Sequence, residues 1–203
     1  HRIIICEMMG NNAGWLALGA GISGGADVIL IPEIPYDIDA IIEHLISRRH
    51  GGKRFSIIAL AEGAISRQEA ALAAKDKKKK KAKDEKVTSK LNGLRYETFI
   101  KEPKANKIAR LIHQATGFDV RVTSLGHLQR GGIPSAADRL LCTRLGTKAG
   151  QLLATGTYNV LVAVKGDQCL PVPLEDVAGV LKTVPPNHPW IETARMVGTC
   201  LGT

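Results

Sequence analysis

Short runs rich in β-branched residues alternate with longer helical stretches along this chain, and this alternation constrains the fold more than any other feature. Each strand-like run is followed by a stretch whose apolar residues recur at helical spacing, as at Ile38, Ile41, Ile42 and Leu45. Strands that alternate with helices favour parallel pairing, with crossover helices covering the sheet. The sequence therefore predicts an α/β fold with a largely parallel sheet and helices on both faces.

The predicted elements extend over most of the chain. Strands are expected at 2–7, 28–31, 55–60, 119–124 and 158–164, and helices at 12–23, 37–48, from 66 into the lysines, 104–115, 135–153, 174–181 and 189–200. With 203 residues, 44% of them hydrophobic, the chain can bury a sizeable core. It begins at His1 inside a predicted strand, without an initiator Met, which suggests a piece of a longer gene product.

The net charge of +9 comes largely from one segment. Residues 75–86 hold eight lysines and three acidic residues, and therefore supply +5 of the total. Such a run is typical of a solvated helix or a disordered insertion, here expected at about 70–95. Because no aromatic residue interrupts it, no stacking platform for single-stranded nucleic acid is predicted. A nucleic-acid binder that uses this run remains an alternative, and deletion of residues 75–86 would test it.

Cysteine spacing and hydropathy indicate which kinds of site and which cellular location the chain is expected to have. The four cysteines show no C-x-x-C pair, so neither a zinc site nor a redox motif is predicted, and Cys6 and Cys142 are expected in the core. No run of 18 apolar residues appears. The prediction is a cytoplasmic protein that does not bind membranes.

Polar and glycine-rich segments follow three of the predicted strands. They are Met9-Gly10-Asn11, Glu62-Gly63 and the loop 126–132. Ligands of parallel α/β sheets gather beyond the carboxyl ends of the strands, so these segments predict one site built from three loops.

The chemistry of these segments suits a phosphorylated sugar. Arg130 offers a fork of donors to phosphate, His127 offers a hydrogen bond or a proton, and Glu62 could accept from sugar hydroxyls. Arg2 and Arg121 lie within apolar strands, where a buried guanidinium needs a partner. Taken singly, each arginine could be a solvated edge residue and the histidine could be structural.

Together these segments resemble the phosphofructokinase family. The likeness lies in GHLQRGG (126–132), EMMGNNAGWLAL (7–18), GGADVILIPE (24–33) and AEG (61–63), in the family's order. NAGW, EIPYD and PVPLEDVAG are more similar to the branch with pyrophosphate-dependent and mixed-substrate members. Gly25, Ala26 and Asp27 match part of an effector site in allosteric relatives, but no effector site is predicted for this chain.

The resemblance implies a three-layer α/β/α fold and a set of substrate-binding residues. Fructose 6-phosphate would bind through Met9, Gly10, Asn11, Glu62, His127 and Arg130, and Arg2 and Arg121 would reach the 6-phosphate in a neighbouring subunit's site. A homo-oligomer with shared active sites is thereby implied. Asn11 departs from the family pattern, which has Arg after Met-Gly. An Asn can donate a hydrogen bond but cannot neutralise developing negative charge.

The resemblance also predicts what this chain lacks. The family's catalytic Asp in T-I-D-N-D and its donor-binding G-G-D-G-S loop belong to the amino-terminal half, and neither string occurs here. The chain is therefore expected to contain no catalytic residue and no metal ligand, while the whole enzyme would use Mg²⁺ with ATP or pyrophosphate as donor. A non-catalytic sugar-phosphate-binding or regulatory module is the alternative.

The same resemblance gives the expected domains. Residues 1–130 would form the fructose 6-phosphate domain, 131–183 would return to the nucleotide domain, and 184–203 would come back to the sugar domain.

Overall fold

The chain divides into two compact units in a computed structural model that describes residues 2–81 and 102–203. The described residues up to Gln129 join Thr183–Thr203 in the first unit, and Arg130–Lys182 form the second. Each unit has its own sheet, with four strands in the first and two in the second.

The first unit is built on a parallel sheet in the order β2-β3-β1-β4. Its strands are β1 (Arg2–Met8), β2 (Val28–Leu30), β3 (Phe55–Ala61) and β4 (Asp119–Ser124). Met8 lies opposite Ala61, and Glu7 lies opposite Ser124, so the three neighbouring strands β3, β1 and β4 end almost level. All of β2 is buried, as expected for a strand covered on both faces.

Helices cover this sheet on both faces. The helices are α1 (Trp15–Ser23), α2 (Ile38–His50), α3 (Arg67–Lys81), α4 (Lys104–Thr116) and, after the second unit, α7 (Pro189–Met196). Helix α1 packs on β2 and β3 and contacts α7, whereas α4 packs on β1 and β4 and contacts α2. Right-handed crossovers explain this division, because the chain moves one way across the sheet from β1 to β2 and the other way afterwards.

Aliphatic side chains fill the space between sheet and helices. The largest fully buried ones are Ile5, Leu18, Ile29, Leu30, Ile31, Ile41, Ile58, Leu60, Ile108, Ile112 and Ile191. Gly21 lets α1 approach the sheet, since a Cβ there would lie 2.6 Å from Ile29 Cδ1. The last residues also join this core, because Ile29 N donates to Cys200 O (2.9 Å) beside the edge strand β2.

The second unit is a helix on a hairpin. Helix α5 (Ala136–Ala154) packs on β5 (Val160–Lys165) and β6 (Gln168–Pro173), which pair antiparallel, and the short α6 (Leu174–Val177) follows. None of its residues is buried, and Ile133 and Val180 are 95% and 71% exposed.

The predicted α/β class with a largely parallel sheet is confirmed, while several details differ. Strand β6 was not predicted, because Pro171 and Pro173 read as strand breakers, yet proline is tolerated in an edge strand. Helix α6 ends at Val177 rather than 181 and α7 ends at Met196 rather than 200. Cys142 is exposed, so its predicted place in the core was wrong.

Two further predictions bear on partners. The predicted helix from Ser66 into the lysines is confirmed as α3, but residues 82–95 of the expected insertion lie outside the described residues. Within the part of the chain that the structure describes, no helix has both the length and the hydropathy to span a membrane.

Candidate sugar-phosphate site

The order of the strands creates a topological switch point between β1 and β3. The chain runs from β1 through α1 to the edge strand β2 and then returns through α2 to β3, so the direction of progress across the sheet reverses between β1 and β3. Such a switch point is where open α/β sheets bind ligands. The sheet pattern continues one residue further on both sides of β1, since Glu62 N donates to Met8 O (2.9 Å) and Leu125 N donates to Glu7 O (3.0 Å).

Three consecutive amides in the loop after β1, the β1 loop (Met9–Asn11), donate to side chains of the two flanking loops. Met9 N donates to Gln129 Oε1 at 2.7 Å. Gly10 N and Asn11 N both donate to Glu62 Oε1, at 3.1 and 2.6 Å. The three predicted loops therefore meet, as their positions at the strand ends led us to expect.

The β1 loop has a backbone conformation that few residues adopt easily. Gly10 has φ 148° and Asn11 has φ 52°. Glycine carries no Cβ to hinder the first, and Asn is several-fold enriched among non-glycine residues with positive φ. Gly63 completes the fit, because a Cβ there would overlap the backbone oxygen of Asn11.

The predicted site residues fall into three groups. Gly10 and Asn11 are joined directly to Glu62, and Met9, in the same loop, donates to Gln129. His127 is exposed on the 3-10 turn η1 (Gly126–Arg130), two residues before Gln129. Arg130 ends this turn and is the first residue of the second unit.

Arg2 and Arg121 lie away from the β1 loop. Arg2 begins β1, seven residues before Met9, which is about 23 Å along a parallel strand. Both arginines are exposed and flank the carboxylate of Asp119, with Nε to Oδ2 distances of 3.4 Å for Arg2 and 3.5 Å for Arg121. Asp119 is thus the partner that an arginine in a strand requires.

Sequence reasoning missed two residues that hold these loops by hydrogen bonds. The amide of Gln129 holds Met9, and Lys104 Nζ donates to the backbone oxygen of Glu62 at 2.8 Å. Gln129 lies between His127 and Arg130 in a glycine-rich loop, which is a signal that could have identified it. Lys104 follows Pro103 at the start of α4, and nothing in its local pattern points to a contact with Glu62.

Glu33 was also missed, although it ends the segment GGADVILIPE. Its Oε1 accepts from Gly14 N (3.0 Å) and from Val184 N (2.8 Å), so one carboxylate holds the residue before α1 and the returning chain. Its Oε2 is buried with no partner among the described residues.

Asp27, in the segment that resembles part of an effector site, is used by the fold itself. Its Oδ2 accepts from Ile57 N (2.9 Å), and its Oδ1 pairs with Arg48 (2.5 Å). Arg48 Nε also donates to the buried hydroxyl of Ser56 at 3.2 Å. This carboxylate therefore ties α2 to the strand ends opposite the β1 loop.

Metal ligation was tested on the side chains that the structure describes. In residues 2–81 and 102–203, no cluster of three or more His, Cys, Asp or Glu side chains could hold a metal ion. Around the β1 loop, the described side-chain groups in hydrogen-bond contact are the carboxylate of Glu62 and the amide of Gln129, and Lys104 Nζ donates to the backbone of Glu62.

These features define an α/β protein in which three hydrogen-bonded loops lie at a switch point of a parallel sheet. Comparison with known proteins is consistent with that class: the family model described as phosphofructokinase matches residues 1–153. The chain belongs to the phosphofructokinase family.

Individual relatives show the same likeness. The chain is 50% identical to an ATP-dependent 6-phosphofructokinase of Spirochaeta thermophila and 47% identical to one of Propionibacterium freudenreichii, over 100% of its length in each case. These matches cover 51% and 55% of the relatives, so the chain spans about half the length of the curated relatives it matches.

Solved structures agree on the fold. Pichia pastoris phosphofructokinase in the T-state matches with a TM-score of 0.62 and 32% identity, over 86% of this chain and 17% of that one. A pyrophosphate-dependent phosphofructokinase from Marinobacter aquaeolei matches with a TM-score of 0.63 over 90% and 42%. At 23% identity, the latter supports the fold alone.

Proposed function

We propose that the chain is the carboxy-terminal, sugar-phosphate-binding half of a 6-phosphofructokinase, which phosphorylates fructose 6-phosphate in glycolysis. The observation that carries this proposal is a set of hydrogen bonds at the switch point of the sheet, in which Gly10 N and Asn11 N donate to Glu62 Oε1 and Met9 N donates to Gln129 Oε1. Family membership and relatives named ATP-dependent 6-phosphofructokinase support the substrate.

The chain's own residues bind and orient the sugar. The amides of Gly10 and Asn11 both donate to Glu62 Oε1, so Glu62 Oε2 is the oxygen that would accept a hydrogen bond from a sugar hydroxyl. Arg130 and His127 would bind the phosphate, since a guanidinium and an imidazole can both donate to its oxygens. Arg2 and Arg121 would bind the phosphate of a neighbouring subunit's substrate, which requires a homo-oligomer. Their exposure supports this role.

The reaction itself would be completed by the other half of the enzyme. The 1-hydroxyl oxygen bonds to the terminal phosphorus of ATP or pyrophosphate, the bond from that phosphorus to the bridging oxygen breaks, and the hydroxyl proton passes to a base. ADP or phosphate leaves. The base, the donor loop and the ligands of Mg²⁺ would all lie outside this chain, in the cytoplasmic whole enzyme. Mg²⁺ would supply charge stabilisation there, and no binding step of this chain depends on it.

The two units support separate roles for parts of the chain. Residues 1–130 and 184–203 would form the fructose 6-phosphate domain, and 131–183 would pack on the nucleotide domain. Supporting this, Arg130–Lys182 contains no buried side chain, so its apolar residues have no core of their own.

Titration calorimetry of the full chain with fructose 6-phosphate tests the proposal, with fructose and inorganic phosphate as separate ligands. Fructose 6-phosphate should bind more tightly than either. Glu62→Gln keeps the acceptor for the loop amides but removes the carboxylate, so the affinity should fall by about 10- to 100-fold, as for loss of a charged hydrogen bond. Glu43→Gln, on the exposed side of α2, is the matched control. Equal losses in both variants would contradict the assignment of Glu62.

A non-catalytic sugar-phosphate-binding module is the second candidate, and Asn11 favours it. Asn readily adopts the observed φ of 52°. Unlike the Arg that the family has at this position, it cannot neutralise the negative charge that develops during phosphoryl transfer. Adding the amino-terminal half of the Spirochaeta thermophila relative to the chain distinguishes the two. Turnover of fructose 6-phosphate with ATP or pyrophosphate supports the enzyme, and tight binding without turnover supports the module.

A further inference from the structure

The side chain of Gln129 reaches from η1 to the β1 loop. Its Oε1 lies 2.7 Å from Met9 N, and both residues are partly buried. Because a backbone N–H can only donate, the atom facing it must be the amide oxygen, and the amide nitrogen points away from Met9. Gln129 is thereby oriented by the loop that it holds.

The β1 loop needs support from outside. Its internal turn supplies one backbone bond, Ala13 N to Gly10 O at 3.0 Å, while Gly10 and Asn11 both have positive φ. The amides of Met9, Gly10 and Asn11 find their acceptors 120, 52 and 51 residues away. Leaving the partly buried amides of Met9 and Gly10 without acceptors carries a desolvation penalty, so their acceptors stabilise the conformation of the loop.

The two acceptors differ in charge. Glu62 brings a negative charge to one side of the loop, whereas Gln129 holds the other side with a neutral amide. A second carboxylate at that place would repel an anionic ligand. An amide is therefore the side chain that fixes the loop without weakening phosphate binding.

We propose that Gln129 is a positioning residue that fixes the β1 loop in the conformation that receives the sugar phosphate. The identity of this ligand rests on the proposed function, whereas the effect of Gln129 on the loop does not. Gln129 acts through Met9 and needs no contact with the ligand.

Two substitutions separate the loop contact from the charge. Gln129→Met keeps the length of the side chain and removes the acceptor. Gln129→Glu keeps an acceptor and adds a negative charge. Hydrogen exchange of the Met9 amide in the full chain reports on the loop, and calorimetry with fructose 6-phosphate at low and high salt reports on the ligand.

In Gln129→Met, the Met9 amide should exchange about tenfold faster, as expected for a net loss of about 1.4 kcal/mol, and affinity should fall by a similar factor at either salt concentration. In Gln129→Glu, the Met9 amide should stay protected, while affinity falls at low salt and recovers at high salt because salt screens the added charge. Gln114→Met is the matched control, since Gln114 is exposed on α4 and accepts only from Arg110 among the described residues.

The outcomes distinguish this inference from the proposed function. Unchanged Met9 exchange and affinity in Gln129→Met would overturn the positioning role. Loss of Met9 protection in a chain that binds no fructose 6-phosphate, even with the amino-terminal half present, would support that role and overturn the proposed ligand. If Gln129→Met fails to fold, loss of Met9 protection in folded Gln129→Glu would still contradict the inference.

Discussion

At the scale of single residues, the fold shifts the pKa of His44. Its Nε2 is buried with no partner among the described residues, and its ring hydrogen-bonds the backbone of Asp27. Burial lowers the pKa of His44 below its ordinary value of 6.5, and the nearby charge of Arg48 lowers it further, while Asp27 acts in the opposite direction. The folded chain therefore keeps this imidazole neutral to a lower pH than the unfolded chain does.

A pH dependence follows from that pKa. The unfolded chain binds a proton at His44 more readily than the folded chain does. The contribution of His44 to the free energy of unfolding is therefore fully retained above pH 6.5 and decreases as the pH falls below that value. Urea unfolding between pH 8 and pH 5 should show a smaller decrease in His44→Gln than in the original chain.

His50→Gln provides the control, since His50 is exposed at the end of α2. If the original chain and His44→Gln lose stability in parallel, His44 is not the group responsible.

At the scale of elements, the close approach of α1 to the sheet depends on Gly21. In Gly21→Ala the new methyl would lie 2.6 Å from Ile29 Cδ1 and 3.1 Å from Ala59 Cβ, so the variant should be destabilised by about 1–3 kcal/mol through overpacking. Urea unfolding measures this change directly.

Gly150→Ala is the matched substitution, because a Cβ at Gly150, within α5, meets no atom within 4 Å. Alanine is the better helix former by about 1 kcal/mol, so stability should stay the same or increase. Destabilisation of equal size at both positions would show that close packing on the sheet is not the reason for the effect at Gly21.

The elements also show how far sequence reasoning could go. Strand composition and helical spacing were enough to predict the parallel sheet and the meeting of the three strand-end loops, because each depends on a local pattern and on chain direction. The contacts of Gln129 and Lys104 could not be predicted, since they depend on side-chain geometry between residues distant in sequence. Strand β6 was missed because its prolines oppose pairing except at an edge.

At the scale of the whole molecule, the two units differ in how well buried side chains can protect their backbone amides from exchange with solvent. The first has an aliphatic core, whereas no side chain of Arg130–Lys182 is buried. Backbone amides in regions with few buried apolar contacts exchange through low-energy openings. The amides of β5 and β6 should therefore exchange with solvent much faster than those of β1 and β3.

We can test whether the lack of buried side chains causes the fast exchange of β5 and β6. Native-state hydrogen exchange would be measured with and without the amino-terminal half of the Spirochaeta thermophila relative. Protection should rise in β5 and β6 if the apolar residues of this unit pack on that half, and should change little in the core strands. Equal protection of both units without the added half would contradict the prediction.

The distances along the chain between the β1 loop and its acceptors have a consequence for folding. Partners 51, 52 and 120 residues apart cannot meet until β1, β3 and β4 lie side by side, and contacts of such high sequence separation form slowly. During refolding, the chain should therefore become able to bind its ligand only in the last cooperative phase, after the spectroscopic signal of the helices has returned. Ligand capture would then serve as a kinetic marker of the finished sheet.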